Sequence, residues 1–203
     1  MLLPRFAMSL AVAGLLVGTA AASQQSKAPA QPKAAAPKAP AKGAEPAGPV
    51  IVFETPKGTV EIEMFPSEAP KSVEHILDLV RSGFYRGQRI WWTTPALVQF
   101  GDPATKDMTK RDSWGTGGSG HPVGVDETKM GKHKFVRGIV GLGYRQDYNP
   151  RTADSFIFII KGANTAADGK YAVIGKVTSG LDIVDKLEVP DRIVNAYVKG
   201  EKK

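Results

Sequence analysis

The chain has 203 residues, a formal net charge of +7 and no cysteine. This length allows one ordinary domain with a tail, and the lack of cysteine excludes disulfides, cysteine-ligated metals and lipid-modified export signals. From residue 50 onward, 22 basic residues face 19 acidic ones without a basic stripe, and this net charge of +3 argues against a nucleic-acid-binding protein.

Residues 1–22 have the order of a secretory signal peptide. Arg5 precedes an apolar run at residues 6–17, small residues follow, and cleavage is expected after Ala22. A membrane anchor is the alternative, but the apolar run is short for spanning a bilayer. We therefore expect a protein exported to the periplasm or the cell exterior, without stable membrane insertion after cleavage.

Residues 23–49 form an Ala/Pro/Lys-rich segment, in which 15 of 27 residues are alanine or proline. Six prolines exclude a stable helix, and almost nothing in the segment can be buried, so we expect a disordered, extended tether. A spacer without a partner is favoured over binding to anionic surfaces through its four lysines. Residues 50–203 are then the single folded domain, expected to be a monomer.

The start of this domain predicts two strands and a helix. "VIVFETPKGTVEIEMF" reads as two strands around a Pro-Lys-Gly turn, because apolar and acidic residues alternate in its second half. In "SEAPKSVEHILDLVRSGFY", Pro70 suits a first helical turn and Gly83 a helix end. Between them, helical spacing links four apolar residues: Val73, Ile76, Leu77 and Val80.

The remainder of the domain is mostly strand. Strands are predicted for "QRIWWTT", "ALVQFGD", "RGIVGLGY", "SFIFIIKG", "KYAVIGKVTSG" and "DRIVNAYVKG", and a short helix for "LDIVDKL". "GTGGSG", residues 115–120, is predicted to be a flexible loop. About eight short strands with two helices predict a mainly β fold, either a closed antiparallel barrel or a sandwich with helical lids. Because helices do not alternate with strands, a parallel doubly wound sheet is disfavoured.

Common catalytic and cofactor motifs are absent from the sequence. The glycine-rich loop lacks the Lys-Ser/Thr ending of a phosphate-binding loop, and no Gly-x-Ser-x-Gly motif occurs. The histidines His75, His121 and His133 share no metal-ligand spacing. His75 lies off the apolar helical stripe, so we expect it to be solvated. Neither a cofactor nor a metal is therefore expected.

The order of several short stretches is similar to that of the cyclophilins, a family of peptidyl-prolyl cis-trans isomerases. These stretches span residues 50–187: "TPKGTVEIEMFPSEAPKSVEHILDLVRSGFY", "VQFGDP", "GTGGSG", "RGIVGLG", "DGKYAVIGKV" and "GLDIVDKL". The resemblance implies a closed eight-stranded antiparallel barrel capped by two α-helices. It also implies isomerisation of X-Pro bonds in proline-containing peptides or in unfolded exported proteins.

The resemblance also locates the catalytic positions. Cyclophilins aim an arginine at the prolyl nitrogen, which weakens amide resonance, and they hold the peptide with a glutamine. Counting from "FY" and from Pro95, Trp91 and Trp92 fall on the family's His-Arg pair, with Trp92 at the catalytic arginine. Gln99 matches the glutamine. The resemblance therefore implies an isomerase whose activity is reduced or absent.

The proline pocket implied by the resemblance has lost large apolar groups. Phe158 matches a pocket phenylalanine, ten residues before Asp168 as in the family. The chain is one residue shorter than the family between Pro95 and Gln99, so that Ala96 replaces a pocket phenylalanine, or this residue is deleted beside Leu97. Ala166 and Ala167 fall where a tryptophan and a leucine are usual.

Three further positions border the implied peptide groove. Gly143 and Tyr144 fall near the family's Ala-Asn peptide clamp, and Tyr171 takes a histidine position. Phe156 replaces a second glutamine.

Two interpretations of the paired tryptophans stay open. They either fill the space released by the lost side chains, or one indole offers a flat surface for a proline or aromatic ring. Since successive strand residues point to opposite faces, only one of them is expected to face the groove. Arg89 is expected to face away from it, whereas Arg145 lies in a loop from which it can replace the lost arginine. The alternative to a weak isomerase is a non-catalytic, peptide-binding or chaperone-like module.

Overall fold

The structure is a computed structural model that describes residues 48–144 and 149–201. The expected signal peptide, residues 23–47 of the expected tether, and Arg145 lie outside the described residues. Within these ranges no helix has the length and apolar character needed to cross a membrane. The described strands are β1 Val50–Thr55, β2 Gly58–Met64, β3 Trp92–Thr93, β4 Leu97–Phe100, β5 Ile139–Gly143, β6 Phe156–Ile160, β7 Ala172–Ser179 and β8 Asn195–Val198. The α-helices are α1 Pro70–Arg81 and α2 Leu181–Lys186, and short 3-10 helices occur at Pro103–Lys106, Met108–Ser113, Pro150–Thr152 and Thr165–Ala167.

These strands form one antiparallel sheet that curls into a half-barrel, with the order β3-β4-β6-β5-β7-β2-β1-β8. The prediction of a mainly β fold with eight antiparallel strands and two helices is confirmed. Closure of the barrel is not, because β3 and β8 stand at the two ends of the sheet and β3 has only two residues. Among the described residues, the segments preceding these strands meet at an isolated bridge between Arg89 and Arg192. A hydrogen bond from the Ile90 N–H to the Asp191 carbonyl (2.8 Å) supports this bridge.

Helix α1 is held by its apolar face and by its capped N-terminus. The predicted stripe is buried at all four positions, Val73, Ile76, Leu77 and Val80, and the helix packs against β7 and β8. Pro70 occupies the first turn, where its missing N–H costs nothing. The Glu127 carboxylate accepts hydrogen bonds from the N–H groups of Lys71 and Ser72, each at 2.9 Å. Two of the helix's otherwise unpaired amide groups are thereby satisfied.

One row of residues across the sheet determines where the functional side chains lie. Trp92 on β3 pairs with Gln99 on β4, Gln99 pairs with Phe158 on β6, and Phe158 pairs with Gly141 on β5. Cross-strand partners share one face of the sheet, so the first three side chains project in the same direction. A Cβ on Gly141 would lie 2.2 Å from Phe158 Cζ and 2.7 Å from Phe135 Cε1. Only glycine therefore leaves room for the phenylalanine ring.

Residues 115–120, the glycine loop, are fixed by hydrogen bonds to two carboxylates rather than flexible as predicted. Asp102 is fully buried, and one of its oxygens accepts from the N–H groups of Gly115, Thr116 and Gly117 at 2.6, 3.1 and 3.2 Å. The other oxygen accepts from the Ala104 N–H at 2.8 Å. Because the carboxylate comes from the end of β4, this wall of the sheet positions the loop directly.

Asp154 holds the end of the glycine loop and links it to α1. It accepts hydrogen bonds from the Ser119 hydroxyl and from the Gly120 N–H at 3.0 Å, and His75 Nε2 lies 3.1 Å away. The His75 side chain is only 18% exposed, so the expectation that it is solvated is wrong. Burial alone would raise the pKa of Asp154, but hydrogen bonds from His75, Ser119 and Gly120 outweigh this effect and lower the pKa.

Replacing Gly141 tests the cross-strand row. We expect Gly141→Ala to reduce the free energy of unfolding by about 1–3 kcal/mol, because its methyl group overlaps the Phe158 and Phe135 rings. Urea denaturation followed by circular dichroism measures the change. Gly162→Ala is the matched control, since a Cβ there meets nothing within 4 Å. Equal effects of the two substitutions would contradict the packing argument.

Acid titration tests the role of Asp154. Its pKa is lower in the folded protein than in the unfolded chain, so its ionised form stabilises the fold at neutral pH. This contribution is lost as the pH falls below about 4 and through the folded-state pKa. Asp154→Asn should therefore lower the urea midpoint at pH 7, and its difference from the wild type should shrink toward pH 3.

The exposed residue Asp112 provides the control for this titration. Asp112→Asn should leave the urea midpoint at pH 7 nearly unchanged. A difference between Asp154→Asn and the wild type that stays constant from pH 7 to pH 3 would show that ionisation of Asp154 does not stabilise the fold.

Candidate functional site

A cleft of about 520 Å³ opens on the face of the sheet that carries the cross-strand row. It extends from β3 over β4 and β6 to the end of β5, and the glycine loop borders it. We call it the aromatic cleft, because seven of its lining residues are aromatic, while no charged side chain of the described residues lines it. The lining residues are Trp91, Trp92, Leu97, Gln99, Trp114, Gly115, Thr116, Gly143, Tyr144, Phe156, Phe158, Asn164, Ala167 and Tyr171.

Nine of the eleven residues that the sequence places in the site line this cleft: Trp91, Trp92, Leu97, Gln99, Gly143, Tyr144, Phe158, Ala167 and Tyr171. Ala96 and Ala166 do not. Ala96 lies in the turn between β3 and β4, where its carbonyl accepts a hydrogen bond from the Lys161 N–H at 2.8 Å. Ala166 is exposed in the 3-10 helix Thr165–Ala167. Their positions at backbone turns point them away from the cleft, whereas the binding roles of the other nine remain predictions.

The two tryptophans both face the cleft, so the expectation that only one does so is wrong. Trp91 precedes β3, and the alternation of strand side chains therefore does not apply to it. Its ring is stacked with that of Trp92, with centroids 6.0 Å apart, and it packs against Phe156 at 5.5 Å. The backbone of Gly115 touches Trp91 so closely that an added Cβ would lie 2.6 Å from its ring. Trp91 is thus packed into the wall, while Trp92 stays 45% exposed.

Gln99 lies at the floor of the cleft between Trp92 and Phe158. It is buried, and within residues 48–144 and 149–201 its side-chain amide has no hydrogen-bond partner. A Cβ on Gly143 would lie only 3.1 Å from Gln99 Nε2, so glycine at this position keeps the amide accessible. An amide that faces a cleft without a protein partner is free to hydrogen-bond a ligand. Gln99 therefore presents hydrogen-bonding groups at the floor of the cleft, and its predicted role in holding a peptide stays a prediction.

The opposite wall is a second stacked aromatic pair. Tyr144 and Tyr171 stack with ring centroids 4.7 Å apart, and Tyr171 meets the edge of Phe158 at 5.2 Å. Phe158 is buried and stacks on Phe135 at 5.4 Å. Rings that support one another in this way have fixed orientations. They form a preformed apolar surface for a ring of similar size.

Five lining residues were not among the predicted site residues: Trp114, Gly115, Thr116, Phe156 and Asn164. Trp114 is held in place by a hydrogen bond from its indole N–H to the Asp107 carbonyl (3.3 Å) and by the Arg111 guanidinium 5.3 Å from its ring centroid. Its position directly before the matched "GTGG" was the signal available in the sequence. For Phe156, the sequence signal that it lines the cleft was its position, where the family has a second glutamine.

Arginine is missing from the described lining of the cleft. Arg89 instead donates to the Pro190 carbonyl at 3.3 Å, on the side away from the cleft, as expected from its position. No three histidine, aspartate or glutamate side chains of the described residues form a group that could hold a metal ion. The described cleft also contains no nucleophile paired with a base. It can bind an apolar ring and hydrogen-bond a peptide backbone.

The model of the cyclophilin type peptidyl-prolyl cis-trans isomerase family matches residues 50–199. A probable peptidyl-prolyl cis-trans isomerase of Brucella suis is 36% identical over 168 residues, which cover 75% of this chain and 84% of the relative. Peptidyl-prolyl cis-trans isomerase-like 3 of Homo sapiens is 33% identical over 139 residues, covering 68% of this chain and 81% of the relative.

Solved structures share the fold. The crystal structure of a cyclophilin type peptidyl-prolyl cis-trans isomerase from Cryptosporidium parvum has a TM-score of 0.63 and 24% identity, covering 76% of this chain and 99% of that one. A second crystal structure of that isomerase, in the presence of the dipeptide Ala-Pro, has a TM-score of 0.61 and 24% identity. The match covers 75% of this chain and 99% of that one. The match over residues 50–199 and the identity to the Brucella relative show that this chain belongs to the cyclophilin-type peptidyl-prolyl cis-trans isomerase family.

Proposed function

We propose that this chain is an exported cyclophilin-type isomerase that acts slowly on X-Pro bonds of other exported proteins during their folding. The observation that carries the proposal is the cross-strand row, which brings Gln99 and Phe158 together on the floor of a cleft whose described lining has no charged side chain. The same row presents Trp92 where the family resemblance places the catalytic arginine. The structure of the Cryptosporidium parvum relative with Ala-Pro supports a proline-containing peptide as the ligand.

Binding of an X-Pro peptide needs an apolar surface and a partner for the peptide backbone. Phe158 and Tyr171 meet edge to face and offer the surface for a proline ring. The amide of Gln99, which has no hydrogen-bond partner among the described residues, offers a donor and an acceptor beside it. With these groups fixed before binding, little side-chain entropy is lost when a peptide is held.

Catalysis requires more than binding. The barrier to rotation about the peptide bond is about 18–20 kcal/mol, and an isomerase lowers it only by binding the twisted amide better than the planar one. A guanidinium aimed at the prolyl nitrogen would do this, because the nitrogen accepts a hydrogen bond only when resonance is broken. Loss of one such donor reduces rates by about 10² to 10³. We therefore propose a reduced turnover.

Export is the second part of the proposal. Its support is the order of charged, apolar and small residues at positions 1–22, followed by the Ala/Pro/Lys-rich segment. The clients would then be unfolded proteins outside the cytoplasm, bound by a monomer.

A non-catalytic, peptide-binding or chaperone-like module is the alternative function. It is favoured by the 45% exposed indole of Trp92, which adds apolar contact area at the expense of a charged donor. Such a cleft would hold proline-containing segments without accelerating their isomerisation.

A protease-coupled assay on a peptide with one Ala-Pro bond separates the two functions. The full chain should accelerate cis-to-trans conversion measurably above the uncatalysed rate. Conversion no faster than in buffer, together with peptide binding detected by calorimetry, would leave only the alternative. If the peptide neither binds nor isomerises, both functions are wrong.

Restoring a guanidinium tests the assignment of Trp92. We expect Trp92→Arg to raise kcat/KM for the Ala-Pro peptide by about 10- to 100-fold. This increase is smaller than the rate factor that one aimed donor contributes in an intact site. The side chain would project beside Gln99, its cross-strand partner. Trp92→Ala is the control, because it opens the same space without adding a donor. Equal rates for the two variants would mean that loss of the arginine does not limit turnover.

A further inference from the structure

The aromatic cleft offers two ring-binding surfaces at a defined separation. Trp92 and Phe158 stand on the same face, with Gln99 on the single strand between them. Adjacent strands lie about 4.8 Å apart, so the backbone positions that carry these two rings lie about 10 Å apart. One X-Pro unit against Phe158 would leave the exposed indole of Trp92 uncovered.

This separation matches the repeat of a polyproline II helix. That helix rises about 3.1 Å per residue with three residues per turn, so residues i and i+3 lie on the same side about 9 Å apart. Two prolines with this spacing would bring one ring to Phe158 and the other to Trp92. The carbonyl groups between them make no hydrogen bonds within the ligand. They would pass over Gln99, whose amide has no partner among the described residues.

The character of the lining fits the same ligand. Grooves that recognise polyproline II segments are lined by aromatic rings, and the segment loses little entropy because it is already extended. No charged group of the described residues lines the cleft, so a neutral ligand is favoured over an acidic or basic one. Outside the cleft lie the other large exposed apolar side chains of the described segments: Met108, Val125, Met130, Val136 and Val194.

We infer that the aromatic cleft recognises neutral Pro-x-x-Pro segments in the polyproline II conformation, with one proline on Phe158 and Tyr171 and the other on Trp92. This inference rests on the proposed function, since it uses the same cleft. It assigns to Trp92 a role in choosing the ligand.

Calorimetric titration of the full chain with matched peptides tests the inference. The first probe is acetyl-Ala-Pro-Ala-Ala-Pro-Ala-amide. The second has only the first proline, and the third has a single residue between its two prolines (Pro-x-Pro). The first peptide should bind about tenfold more tightly than the other two, because its second proline makes one additional aromatic contact. Equal affinity of the wild type for all three peptides overturns the inference.

Variants at Trp92 locate the second surface. Trp92→Ala should reduce the affinity for the two-proline peptide to that for the one-proline peptide, whereas Trp92→Phe, which keeps a flat ring, should retain most of the preference. Met130→Ala, at a 53% exposed residue outside the cleft, should change nothing. Circular dichroism verifies that each variant is folded. A preference that survives in Trp92→Ala would overturn the assignment.

The outcomes separate this inference from the proposed function. Binding or isomerisation of the one-proline peptide without an advantage for the second proline contradicts the inference alone. Failure of every peptide to bind contradicts the inference and the proposed function together.

Discussion

The cleft depends on one strand register, in which the Phe158 ring packs over Gly141. Gln99 faces the cleft only because β4 pairs in register with β6 on one side and with β3 on the other. A slip of one residue would send the amide to the opposite face of the sheet. Since any side chain at position 141 would displace the Phe158 ring, this register requires glycine on β5. The strand register therefore decides which side chains face the aromatic cleft.

Local patterns were sufficient to predict most of the secondary structure. The spacing of apolar residues located α1 and its buried face, alternation located β2, and short apolar runs located the other strands. The sheet is open where a closed barrel was expected, because closure depends on pairing between segments far apart in the chain, near Arg89 and Arg192, which form only an isolated bridge among the described residues. The order of the glycine loop depends likewise on distant carboxylates, Asp102 and Asp154, which no local pattern reveals. A glycine-rich composition therefore indicated flexibility where the fold supplies hydrogen bonds.

The site was predictable where family spacing is intact and was missed where the backbone departs from a regular strand. Gln99 and Phe158 lie in continuous strands, so the register carried them to the cleft. Ala96 was wrongly expected in the wall because the shortened segment places it in a turn. Trp91 was expected to alternate with Trp92, yet it precedes the strand and stacks on its neighbour. In each case the missing information was the local backbone geometry rather than the chemistry of the residue.

Exchange of a guanidinium for an indole changes which state of the ligand is stabilised. An aimed donor acts on the twisted amide alone, so its interaction energy lowers the barrier. In the proposed complex, the flat face of Trp92 would instead contact a proline ring that is present in the planar ground state as well. A polyproline II segment contains trans prolines, and a cleft shaped for it stabilises the trans state before rotation begins. Stabilising the ground state as much as the transition state lowers KM without raising kcat, so the contacts that strengthen binding here do not accelerate isomerisation.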